Sequence, residues 1–317
     1  MKPKFGIFLD PFFLSTSYQS FKEHTIEAER LGYESVWVSD HLMTRNKPVY
    51  ECFSMLSALA SVTKKIKLGS LVACNSYRNP SVLAKISATV DVISNGRLEF
   101  GIGAGWNEEE YNAYGITFPK PDVRVTQLKE GIEIIRRMWT ENSPSYSGKY
   151  FSIRGAYCEP KPIQKPHPPI TIGAGGEKLT LKVVAEYANR WNWFGSVQEF
   201  NQKLNALKIH CARADKNYSS IEKSFTGRIK ISNDRRELRS FLQNLYSTEQ
   251  IYFGTQTSFK QWFESLQKKY IVGTPDECVE RIREYMDLGV DYFMLTFLDL
   301  PSMHDMRLFA EQIREKI

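Results

Sequence analysis

An aspartate and a histidine, Asp40 and His41, close the short apolar run Ser35 to Ser39. Histidine titrates near neutrality, so at the carboxyl end of a strand it can pass a proton or bond a polar group of a substrate. The same pair also reads as a loop-capping carboxylate beside a space-filling ring. Two glycine turns offer a second kind of chemistry. Gly101-x-Gly103-x-Gly105 follows the buried run Leu98 to Ile102, and Ile172-Gly-Ala-Gly-Gly176 leads from another apolar run into a helix starting about Glu177. Lacking side chains, such turns let backbone close on a ligand, and amides at a helix start attract an anion. Cys74, Asn75 and Arg78 stand near enough to touch a ligand. Cys74 equally fits a small buried hydrophobe, and Arg78-Asn79-Pro80 reads as a helix start capped by Asn79. Glu108, Glu109 and Glu110 read as the acidic first turn of a helix, favoured by its dipole, rather than as a catalytic cluster. His24, His167, His210 and His304 show no ligand spacing, so no metal is expected.

These residues need a frame that brings strand ends together. Apolar runs at Phe5 to Leu9, Ser35 to Ser39, Ile66 to Ala73, Leu98 to Ile102, Ile170 to Ile172, Trp191 to Phe194, Phe225 to Ile231 and Tyr292 to Phe297 alternate with amphipathic helical stretches. That alternation argues for a parallel sheet, and eight such runs suit a closed barrel. Leu83, Ile86, Val90 and Ile93 form one helical stripe; Val125, Leu128, Ile132, Ile135 and Trp139 form another. Thr274-Pro-Asp-Glu277 combines a capping box with proline at the first helical position, and Gly289 marks that helix's end. Two segments exceed a plain alternation: about 142–169, with a hairpin at Tyr146 to Phe151, and about 232–273, helical at Arg235 to Tyr246 and Phe259 to Tyr270. Both are expected on the carboxyl-terminal face of the barrel, shaping access or packing over its end.

With 317 residues and 42% apolar content the chain can bury one large core, read here as a single domain over residues 1–317. Its net charge of +6 comes from bases interleaved with acids, as in Glu280-Arg-Ile-Arg-Glu284, so no nucleic-acid partner is expected. Five scattered cysteines without a CxxC pair imply a reducing compartment. The absence of a signal-peptide core or a membrane-length apolar run predicts a cytoplasmic protein without a membrane partner.

Motif order and spacing over nearly the whole chain resemble the bacterial luciferase-like monooxygenase superfamily. The resemblance rests on Gly32-Tyr-Glu-Ser-Val-Trp-Val-Ser-Asp-His41, Leu68 to Pro80, Ser94-Asn-Gly-Arg-Leu to Gly105-Trp106, and Glu109-Glu110-Tyr111 with Tyr114-Gly115. It continues through Pro160-Lys-Pro-Ile-Gln164, Ile170 to Gly176, and Ala188 to Phe194. It implies a TIM (β/α)8 barrel that holds a flavin-type ring at its carboxyl-terminal face. It further implies His41 as the catalytic group and a homodimer. The cofactor contacts it implies are Asp40, Leu71, Val72, Gly105, Trp106 and a phosphate site at Gly173, Ala174, Gly175 and Gly176; Trp193, on a strand with one face toward the barrel interior, reads equally as a wall of the ring pocket or as core. Several members bulge the third strand at the position of Leu71-Val72 through a non-prolyl cis peptide, although leucine and valine alone read as ordinary strand. Asp-His after the second strand resembles the deazaflavin-dependent dehydrogenases and reductases. The implied function is hydride transfer between coenzyme F420 and a small organic substrate. An FMN-dependent monooxygenase using molecular oxygen is the alternative, and a noncatalytic flavin- or deazaflavin-binding barrel is a third reading. The sugar-phosphate dehydrogenase branch carries an acidic proton donor in the turn where this chain has Gly105 and Trp106, so that activity does not carry over. Asn189-Arg190 also departs from the Asp-Gly of many relatives.

Overall fold

Every apolar run expected as a strand contributes one stave of a closed barrel. The structure, a computed structural model, describes residues 2–11, 17–44, 47–253 and 257–317. The staves are β1 (Lys4–Leu9), β2 (Ser35–Val38), β3 (Lys67–Ser70), β4 (Leu98–Gly103), β5 (Ile170–Gly173), β6 (Arg190–Trp193), β7 (Glu222–Ile231) and β8 (Tyr292–Phe297). All neighbouring pairs are parallel, and β8 closes on β1 with Phe5 opposite Phe293 and Ile7 opposite Leu295. Helices α1 (Tyr18–Arg30), α2 (Cys52–Ser61), α3 (Pro80–Ile93), α4 (Pro121–Thr140), α5 (Thr180–Tyr187), α6 (Val197–Arg213), α7 (Pro275–Met286) and α8 (His304–Gln312) follow the strands in turn. This is the TIM barrel.

Strand alternation divides the interior into two layers. Val36, Val38, Phe100, Ile102, Ile172, Trp191 and Phe225 point outward and pack under the helices. Trp37, Tyr292 and Met294 point inward and meet Leu71, filling the lumen. Below them Arg190 lies inside the barrel, 2.6 Å from Glu99 and bonded also to Glu222, with its guanidinium 4.5 Å from the centre of the Tyr292 ring. The unusual Arg190 therefore serves an ionic plug at the amino-terminal end of the lumen. The same plug explains why β7 begins at Glu222 rather than Phe225: its first residues are polar and escape an apolar reading.

Local signals act as expected at two helix starts. Asn79 caps α3 through the Ser81 amide at 3.0 Å, with Pro80 in the first turn. Thr274 and Glu277 exchange the two bonds of a capping box on α7, and Gly289 turns the chain at φ +89°. The α3 stripe is rotated from expectation, since Ile93 is half exposed while Ala84, Ser87 and Ala88 face inward; these small residues let α4 pack closely. Helix α5 starts at Thr180, not near Glu177, because residues 177–179 form a turn.

The two excursions lie at opposite ends. Residues 232–273 follow β7 and so belong to the carboxyl-terminal face, as expected; they contain helices Arg235–Phe253 and Phe259–Lys269, with residues 254–256 outside the described set. Leu238, Leu242, Trp262 and Leu266 give this pair its own small core. Residues 142–169 run from the end of α4 to the start of β5, which places their ends on the amino-terminal face and corrects the expectation of a mouth insertion. The predicted hairpin is there, as Tyr146–Ser147 against Ser152–Ile153, and Glu130 of α4 accepts the Lys149, Tyr150 and Phe151 amides at 2.8–2.9 Å. No helix among the described residues is long and apolar enough to cross a membrane, and all five cysteines are buried thiols.

Candidate active site

The end of β2 is tied to the loop after β3 by a charge-assisted clamp. Asp40 is buried and accepts two parallel bonds from Arg78, at 2.7 and 2.9 Å, and a third from the Cys74 amide at 2.8 Å. Arg78 also bonds Glu51, which caps α2 through the Phe53 and Ser54 amides. The Asp40 carboxylate is thus engaged within the protein, where it ties the two strand ends together.

That clamp carries His41 to the rim. Its Nδ1 lies 3.0 and 2.9 Å from the two carboxylate oxygens of Glu110, in the short helix Glu108–Ala113 that follows β4. Glu110 is fully buried, and it also accepts the Leu42 amide at 3.1 Å, the Met43 amide at 3.3 Å and the Tyr77 hydroxyl at 2.7 Å. Burial works against its charge, but the bonds from His41 and Tyr77 outweigh it and hold the carboxyl below the ordinary glutamate range. Trp106, 69% exposed, sets its ring edge-on to His41 with centroids 5.7 Å apart.

Between these groups and the glycine turns lies Val72. The peptide Leu71–Val72 is cis, and the strand expected over Ile66 to Ala73 is broken there into Lys67–Ser70 and Ala73–Cys74. Leu71 turns into the lumen beside Trp37, while Val72 lies across Gly103 and Gly173. A methyl group on Gly103 would come to 2.8 Å of Val72, and one on Gly173 to 3.0 Å. The glycine spacing of both turns therefore accommodates Val72 and keeps the mouth above it low and open. Gly105, at φ +78°, passes beside Cys74 and Tyr111, whose Sγ and hydroxyl are 3.1 Å apart. Burial pushes the Cys74 thiol up to about 11, which leaves it a packing group rather than a nucleophile.

On the far side of the mouth, two amides of the second turn are already engaged: Ala174 with the Asn192 carbonyl at 3.2 Å, and Gly176 with the Thr180 hydroxyl at 3.0 Å. Trp193 shares the outward face of Trp191 and packs beside Phe200 and Phe194, with the Lys203 ammonium 4.7 Å from its ring centre. It backs Gly175 and does not wall the lumen, because alternation gives the inner face at that register to Asn192. Asn192 bonds Ser224 and Thr226 of β7 at 3.0 and 2.9 Å.

His41, Leu71, Val72, Gly105, Trp106 and the turn Gly173 to Gly176 thus stand on one arc of the carboxyl-terminal rim, from β2 to β5. Asp40 and Trp193 lie behind that arc. Glu110 and Tyr77 belong to the site and escaped the sequence reading. No sequence signal separates Glu110 from Glu108 and Glu109, because helical spacing from Tyr111 would favour Glu108; the structure buries Glu110 and Tyr111 together.

A family model described as luciferase-like monooxygenase matches residues 4–292. The F420-dependent glucose-6-phosphate dehydrogenase of Microbacterium testaceum is 30% identical over 308 residues, covering 92% of this chain and 89% of that protein. Among solved structures, the coenzyme F420-dependent tetrahydromethanopterin reductase of Methanopyrus kandleri superposes with a TM-score of 0.82 at 23% identity, covering 100% and 99% of the two chains. A monooxygenase of Streptomyces bottropensis does so with the same TM-score at 22% identity, covering 99% of each.

Proposed function

The chain belongs to the luciferase-like monooxygenase family, and on that premise we propose that it is an oxidoreductase using coenzyme F420 with a small organic substrate. The observation that carries this reading is the placement of a rim histidine, His41, beside a floor kept low by Gly103, Val72 and Gly173. A flat ring fits such a floor, whereas any side chain on either glycine would meet Val72. Gly103, Val72 and Gly173 would then lie against the ring, and the Gly175 region would receive the cofactor's phosphate near the start of α5. When bound, a deazaflavin supplies two-electron transfer at carbon and reacts poorly with oxygen.

The protein's own residues would do the rest. Glu110 takes up Nδ1 of His41, which leaves Nε2 as the basic nitrogen, able to accept a proton from a substrate hydroxyl and to return it only once the ring has become imidazolium. Trp106 stands beside the imidazole and would limit water around it. Leu71 and Trp37 close the lumen beneath, so substrate enters only from the mouth. The same reading takes the chain as one domain with two excursions, acting as a homodimer in the cytoplasm. Absorption and mass spectrometry of protein purified with its cofactor retained would test it: F420 supports the reading, and bound FMN returns it to an oxygen-using monooxygenase.

A further inference from the structure

We infer that Glu110 is a positioning residue that locks His41 in the tautomer bearing its proton on Nδ1, with Tyr77 orienting the carboxylate. The inference rests on the proposed role of His41, but its test can succeed or fail separately. Three facts carry it. Both oxygens of Glu110 lie within 3.0 Å of Nδ1, and a carboxylate accepts only, so Nδ1 must be the donor. Glu110 is itself fixed by three further hydrogen bonds, from the Leu42 and Met43 amides just after His41 and from the Tyr77 hydroxyl, and its backbone is held in the helix Glu108–Ala113. Lastly, the neighbouring cation and polar groups are engaged elsewhere. Arg78 is spent on Asp40 and Glu51, and Cys74 and Tyr111 bond each other. Among the described residues His41 is the one basic side chain ion-paired with this buried carboxylate.

This geometry is that of a histidine oriented by a second residue, in which the partner on one ring nitrogen decides the role of the other. Free imidazole spreads its proton over both nitrogens and rotates between faces. Glu110 removes both freedoms, so Nε2 meets the substrate in a single state. The Tyr77 bond keeps the carboxylate from turning its Oε2 away from the ring.

The readout is the 15N shifts of the histidine ring nitrogens, with His41 assigned by its loss in His41→Ala; with five histidines the spectrum is sparse. The wild-type signal of neutral His41 should show protonated Nδ1 and unprotonated Nε2. In Glu110→Gln, whose amide can take the opposite orientation, the two tautomers should mix, and turnover with F420 should fall by roughly tenfold to a hundredfold. F420 affinity should stay within a few-fold of wild type. Glu110→Asp should recover the tautomer in part and activity with it. Should Glu110→Gln fail to fold, Tyr77→Phe tests the same chain of contacts and should weaken the Nδ1 preference. A wild-type tautomer pattern in the folded Glu110→Gln protein, or in Tyr77→Phe if only that folds, overturns the inference. A correct tautomer pattern in a protein that does not bind F420 would spare it and reject the F420 reading instead.

Discussion

Asp40 and Arg78 tie the end of β2 to the loop after β3 with two parallel N–H···O bonds, and both side chains are nearly closed to solvent, at 1% and 13% exposure. Arg78→Met would strand the Asp40 carboxylate without its cation, a change that costs on the order of 3–5 kcal/mol in a buried pair. Urea unfolding should show a loss of that size, partly recovered in the double variant Asp40→Asn, Arg78→Met. A loss below about 1 kcal/mol would mean the pair behaves as an exposed one.

His41→Ala removes the group assigned to proton transfer while leaving the floor of the mouth intact. Turnover should fall on the order of 10² to 10⁴, with F420 affinity changed only a few-fold. Steady-state rates beside equilibrium binding separate the two, and undiminished turnover would remove the catalytic role of His41.

Gly175 backs onto Trp193, where even a methyl group would come to 2.5 Å of the indole nitrogen. Gly175→Leu must therefore push the turn or the indole aside, at about 1–3 kcal/mol for overpacking. If the cofactor phosphate sits there, affinity should drop by roughly tenfold. Unchanged F420 affinity in a folded variant would place the phosphate elsewhere.

Glu27 joins α1 to α8 by accepting bonds from Arg30 and Arg307, which hold its carboxyl down at about 2 from an ordinary value of 4.5. A carboxyl lowered by folding adds stability that is fully present above 4.5 and is lost as pH falls toward 2. The Tm gap between wild type and Glu27→Gln should accordingly be largest near neutrality and narrow between pH 4.5 and 2.5. A gap independent of pH would show that the ion pairs add nothing, as is common for exposed pairs.

Strand positions were legible because period-two patterning and alternation with helices are local properties of the chain. Boundaries failed where tertiary partners decide them: Glu222 to Ser224 extend β7 because Arg190 and Asn192 wait for them inside the barrel, which no local pattern announces. The site was legible where it consists of backbone turns and a rim histidine. It was not legible at Glu110, since a glutamate in a first helical turn satisfies the helix dipole equally well whether it faces water or His41. Which face Trp193 takes turns on one step of strand alternation, a difference that only register can settle. The break at Leu71-Val72 left no mark in residue type, as both are good strand formers.

The most direct test is a parallel titration of the purified protein with F420 and with FMN, followed by absorbance and fluorescence under identical buffer and salt. Tighter binding of F420 is the expected result. Preferential binding of FMN would contradict it and leave the family's oxygen-dependent chemistry as the function of this barrel.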